Sequence, residues 1–145
     1  MSRPPSISPI GLQLATTGKR VSLAFDAALT AVGGSRSTWL VLVAVKSRSF
    51  ANQQEIAEVV GIRGPTLTHH LNAMEAEGLL TRRRHPTNRR VHVVELTGAG
   101  EEAFEAMRGA AAAFDRRLRL GMTDEDVGAL ERLLHQMVEN VTGEA

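Results

Sequence analysis

The chain has no cysteine and no tyrosine, and only one tryptophan and four phenylalanines among its 145 residues. Without cysteine there are no disulfides, no thiolate metal sites and no thiol redox switch. An aromatic content of 3% argues against a module that holds single strands by stacking bases on ring platforms. Long apolar runs are missing too. None approaches the ~20 residues needed to span a bilayer, and the opening Met1-Ser-Arg-Pro-Pro5 lacks the apolar stretch of a signal peptide. The expectation is a cytoplasmic protein with no membrane partner. Signatures of catalysis are absent as well: no Gly-rich phosphate loop, no nucleophile elbow and no H-E-x-x-H. No enzyme is expected, and no catalytic residue is named. His69 and His70 are adjacent and so do not share a helix face, while His85, His92 and His135 show no ligand spacing. No metal and no cofactor are expected.

What is present is a core and an uneven charge. Hydrophobic residues make up 43% and charged residues 23%, enough for a packed interior and a soluble surface. The net charge is only +1, but its distribution matters. From Gly61 to His92, six arginines face two glutamates; from Thr97 onward, five arginines face ten acids. A basic middle beside an acidic last third gives one region suited to a polyanion.

Local signals set the element order. Ser8-Pro9 reads as a helix start, with Ser8 as N-cap and Pro9 first in the helix, after a loose arm over 1–7. Ile10, Leu14, Val21, Phe25 and Leu29 form a helical stripe that Gly33-Gly34 breaks. Ser35 starts a second helix in which Trp39–Val45 is apolar all round and therefore buried. Asn52-Gln-Gln-Glu55 matches a capping box for a short helix that Gly61 ends. A helix from about Gly64 to Glu77 carries Leu67, Leu71 and Met74 at i, i+4, i+7, and Gly78 closes it. Leu79–Arg84 and Val91–Leu96 read as strands around a turn at 85–90, with 92, 94 and 96 on one face. Thr97 caps a long helix that Gly121 breaks, and Thr123 with Asp126 starts a last helix with Val127, Leu130, Leu134, Met137 and Val141 as its stripe.

The central elements make a winged helix-turn-helix. The fold class is therefore mainly α, an α+β winged helix. Two helices joined by a short Gly-containing turn are a DNA-reading device. The first helix, Gln53–Val60, holds the second. The second buries its leucines and leaves Pro65, Thr66, Thr68, His69 and His70 near the end that enters a major groove. On the hairpin, Arg89 and Arg90 at the tip suit a narrow, strongly negative minor groove. Arg82, Arg83 and Arg84 at its base suit backbone phosphates. A winged helix that docks on a protein through its basic hairpin is the first alternative, and a small enzyme the second.

The segments Gln54–Ile62, Pro65–Thr68, Leu71–Leu80, Arg82–Arg84, Asn88–Arg90 and Glu95–Thr97, in this order, resemble the MarR/SlyA family of regulators. The family often has Asp where this chain has Asn88, and Arg where it has His69. Asn88 can still accept a hydrogen bond but without charge assistance, and a neutral imidazole at His69 cannot make the bidentate guanine contact of Arg. The resemblance implies one domain over 1–145, with a DNA-binding lobe at 35–97 and helices at 8–31 and 98–142 forming a dimerisation region. It implies a homodimer that binds double-stranded DNA at a pseudo-palindromic operator, most simply as a repressor. It also implies a small lipophilic or aromatic effector, for which Lys19, Arg20, Phe25, Trp39 and Val43 are the candidate residues.

Overall fold

A computed structural model describes residues 9–47, 51–61, 65–88 and 91–143. The expected arm at 1–7 and the Ser8 cap lie outside them. The chain divides into two compact units, 1–111 and 112–145.

In the first unit, α1 spans Ile10–Thr30 and α2 spans Arg36–Lys46. Pro9, expected as the first helical residue, is instead the N-cap: its ψ of 134° is extended, and its carbonyl accepts from Gln13 N at 3.1 Å. The Ser35 cap forms as expected, Oγ accepting from Thr38 N at 3.1 Å. Val41, Leu42, Ala44 and Val45 are buried, so α2 is a core helix. Arg36 clasps Asp26 of α1 at 2.9 Å, with a second bond to Ser22 O at 3.0 Å, tying the two helices together at the surface.

A two-residue strand, β1 (Ala51–Asn52), was not anticipated. It leads into α3 (Gln53–Val60), where Asn52 Oδ1 accepts from Glu55 N at 2.8 Å. Gly61 ends α3 at φ 73°, a left-handed conformation that costs glycine little. Next, α4 spans Pro65–Ala76 and buries Leu67, Leu71 and Met74; its expected start at Gly64 lies outside the described residues. The strands β2 (Leu80–Arg84) and β3 (His92–Leu96) pair antiparallel from Leu80↔Leu96 to Arg84↔His92. β1 adds to the other edge of β3 through Ala51↔Val94, so the sheet order is β1-β3-β2.

That third strand changes the reading of β3. Alternation put 92, 94 and 96 on one face, but both Val93 and Val94 are buried while His92 is exposed. Val94 belongs to the main core with Leu29, Leu42, Ile56, Leu71 and Leu80. Successive strand residues point to opposite faces, so Val93 is buried on the other side of a central strand. The long helix α5 (Gly98–Leu118) brings Met107 into the core and stacks Phe104 on Trp39, ring centroids 5.6 Å apart.

Thr97 joins three elements. Its Oγ1 accepts from Gly100 N at 3.1 Å and donates to Gly78 O, while its own N–H donates to Leu79 O at 3.0 Å. Gly100 sits so close to Leu79 that an added Cβ would collide with the Leu79 carbonyl oxygen. In the second unit, after Gly121 at φ 80°, Thr123 and Asp126 form a reciprocal capping box that opens α6 (Asp124–Thr142). No residue of α6 is buried.

Candidate nucleic-acid interface

The exposed face of α4 is the centre of the site. Leu67, Leu71 and Met74 point inward, so helical geometry turns Pro65, His69, Asn72 and Ala76, spaced 4, 3 and 4 residues apart, to the opposite side. All four are exposed, as is Thr66. His70 is half-buried at the edge, its ring 6.0 Å from that of His69. Thr68 is also half-buried. Its hydroxyl accepts from Gln53 Nε2 of α3 at 3.2 Å, so this threonine fastens the two helices as well as flanking the surface. Gln53 was not singled out from sequence.

The three arginines at the base of the hairpin are put to three different uses. Arg82 does not extend outward as expected for a phosphate contact. Its guanidinium turns back onto α4: Nε lies 3.3 Å from Glu75 Oε2, Nη2 3.3 Å from Glu75 Oε1, and the Arg82 N–H donates to Glu75 Oε2 at 3.1 Å. Nη2 also donates to Asn72 Oδ1. The side chain is only 18% exposed. The hydrogen bond from Arg82, reinforced by its charge, holds the Glu75 carboxyl below its usual range against a partial desolvation that works the other way. Arg83 pairs with Glu95 Oε1 at 2.8 Å, diagonally across the β2–β3 ladder. Arg84 is exposed and forms no ion pair among the described residues, which leaves its charge available to a polyanion.

The turn of the hairpin has a local clasp. His85 Nδ1 lies 3.2 Å from the amide nitrogens of both Thr87 and Asn88 and 3.0 Å from Thr87 Oγ1. A ring nitrogen that accepts two backbone N–H groups carries no proton itself, so the tautomer here has its hydrogen on Nε2. Arg89 and Arg90, expected at the wing tip, lie outside the described residues.

The residues expected to meet an effector come from α1 and α2. Lys19 and Arg20 lie on the exposed half of α1, Val43 is half-buried in α2, and Phe25 and Trp39 pack against the main core. Two shallow clefts are lined by other residues: one by Asn52, Gln53, Gln54, Val91 and His92, the other by Asp26, Thr30, Ser35, Arg36 and Ser37. Among the described residues no group of three His, Asp or Glu side chains is placed to hold a metal ion. No described helix is long and apolar enough to cross a membrane.

A buttressed helix with an exposed polar face, next to a hairpin whose Arg84 forms no ion pair among the described residues, defines a winged helix-turn-helix fold. Comparison with known proteins narrows this. The MarR family model matches residues 35–92. The chain is 26% identical over 129 residues, 89% of its length and 77% of the relative's, to the uncharacterized HTH-type transcriptional regulator YdgJ of Bacillus subtilis strain 168. The fold matches the transcriptional repressor CouR bound to a 23-mer DNA duplex, with a TM-score of 0.83, 26% identity and coverage of 95% of this chain and 99% of that one. CouR bound to p-coumaroyl-CoA matches with a TM-score of 0.75 and 25% identity over 92% of each chain. Over its central part the chain is thus similar to the MarR family, and over most of its length to transcriptional regulators.

Proposed function

We propose that this protein works in the cytoplasm as a homodimer that binds a pseudo-palindromic operator in double-stranded DNA and represses transcription from it. The observation that carries the reading is the exposed Pro65–Thr66–His69 face of α4, tied to α3 through Gln53 and Thr68, with Arg84 exposed on β2. Such a face fits a major groove, and a two-fold dimer would set two of them about one helical turn (~34 Å) apart. Arg89 and Arg90 join the interface on sequence grounds as the wing-tip cations. The DNA-bound CouR structure supports this use of the fold.

Dimerisation is supported by uncovered apolar surface. Ile10, Leu12 and Leu14 of α1 and Leu130, Leu134 and Val138 of α6 are all exposed in the single chain. Surface of this kind contributes about 25 cal/mol for each Å2 removed from water. The domain arrangement that follows is one MarR-type domain over 1–145, with 35–97 reading DNA and the helices in 8–31 and 98–142 joining two copies. The CouR complex with p-coumaroyl-CoA supports release by a small ligand with an aromatic or lipophilic part; Lys19, Arg20, Phe25, Trp39 and Val43 remain the residues proposed to meet it.

The test is the salt dependence of binding. The logarithm of affinity for a duplex should fall with the logarithm of salt at a slope of about 0.9 per phosphate neutralised, summing to several units for a dimer. A selected operator should compete far better than random duplex. A protein that binds no duplex even in dilute buffer would return the hairpin to the rival role of docking on a protein.

A further inference from the structure

Asn72 lies on the exposed stripe of α4, one helical step beyond His69, and was not among the residues picked from sequence. Its amide oxygen is engaged by Arg82. An asparagine amide can normally present either its oxygen or its nitrogen, which is how Asn matches adenine: it accepts from N6 and donates to N7. Here the neighbouring group is a guanidinium, which has donors and no acceptor. Arg82 Nη2 donates to Asn72 Oδ1, so the oxygen faces β2 and the NH2 at the other end of the planar amide faces away from it. Arg82 is held in turn by three contacts with Glu75, at 3.1 to 3.3 Å. The amide is therefore locked in one orientation from behind, with two N–H donors left to meet whatever approaches the helix.

Resting on the operator-binding reading above, we propose that Asn72 is a specificity residue that reads guanine, and that Arg82 is the positioning residue that sets its polarity. Guanine presents two adjacent acceptors, N7 and O6, on its major-groove edge, between which the amide NH2 can share a donated hydrogen, whereas thymine offers O4 alone. Cytosine presents the N4 donor, and adenine presents its N6 donor beside N7; each meets Asn72 donor to donor. Arg82 thus acts on base choice without touching DNA, and this use replaces the phosphate contact expected for it.

The experiment is selection of bound duplexes from a random pool by the full-length protein and three variants. Wild type should enrich guanine at one position in each half-site. Asn72→Ala should cut that guanine preference about tenfold, within the range of a paired base contact, and leave the other positions as they were. Alanine is the strongest helix former and the site is exposed, so this variant folds. Arg82→Met frees the amide to flip, and adenine should rise to rival guanine at the same position. Arg82→Lys, also donor-only, should retain guanine. A purely structural role for Arg82 would weaken binding without exchanging one base for another. If Asn72→Ala selects the wild-type motif unchanged, the proposal fails while operator binding stands. If it loses affinity equally on every sequence, Asn72 touches a phosphate and the proposal fails. If wild type selects no duplex, the operator-binding reading falls first and this one with it.

Discussion

The two ends of the distribution of burial lie in different regions of one chain. Between Leu29 and Met107 the first unit buries leucines, valines and methionines from five helices and two strands against one another. In the second unit, α6 carries as regular an apolar stripe and a better cap than most helices of the first, yet none of its residues is buried, and Leu130 and Leu133 are each 46% exposed. Capping and periodicity are properties of a segment; burial is a property of what the segment meets. The difference shows that local rules write α6 as a helix, while none of the described residues buries its stripe.

Three outcomes sharpen or break that contrast. The largest effect is expected from charging the bare stripe. Leu130→Glu with Leu134→Glu should convert a dimer to a monomer in sedimentation or light scattering and reduce operator affinity by more than a hundredfold, since one recognition helix then binds alone. An unchanged mass would mean that α6 is not the dimer surface. Next is the covered region: Leu71→Ala, in a fully buried position, should cost about 2–5 kcal/mol in denaturant unfolding. A cost below about 1 kcal/mol, the scale of a surface change, would erase the distinction between the two regions. The smallest effect is electrostatic. Glu75 has its carboxyl pKa lowered in the folded chain. Its contribution is therefore present at neutral pH, above the unfolded value, and is lost as pH falls through the lowered folded value. Glu75→Gln should flatten this small acid-side loss of stability, slight because the Glu75 side chain is itself solvent-exposed, and leave the neutral-to-alkaline side unchanged. A wild-type acid profile that Glu75→Gln reproduces would remove the clamp from the account.

The same split between local and long-range causes decides what could be read from the sequence. The caps at Ser35, Asn52 and Thr123 and the turns at Gly61 and Gly121 depend on neighbours three or four residues away, so each was legible. The winged helix followed from them. The strand β1 was not legible: two residues show no alternation, and its partner Val94 is far along the chain. The exposed face of α4 was readable from the spacing of Leu67, Leu71 and Met74, and the same spacing would have exposed Asn72. The destination of Arg82 was not readable. A strand's period of two states which arginines share a face, but not that Glu75 and Asn72 wait on the other side of the Gly78 turn.

Thr97 gives the hairpin and both flanking helices a common anchor. Through it the first turn of α5, the exit of α4 at Gly78 and the foot of β2 at Leu79 are joined within one residue's reach, and Gly100 leaves no slack beside Leu79. No loop stands between them to absorb motion. A tilt of the first turn of α5 would therefore pass directly to the exit of α4 and the start of β2.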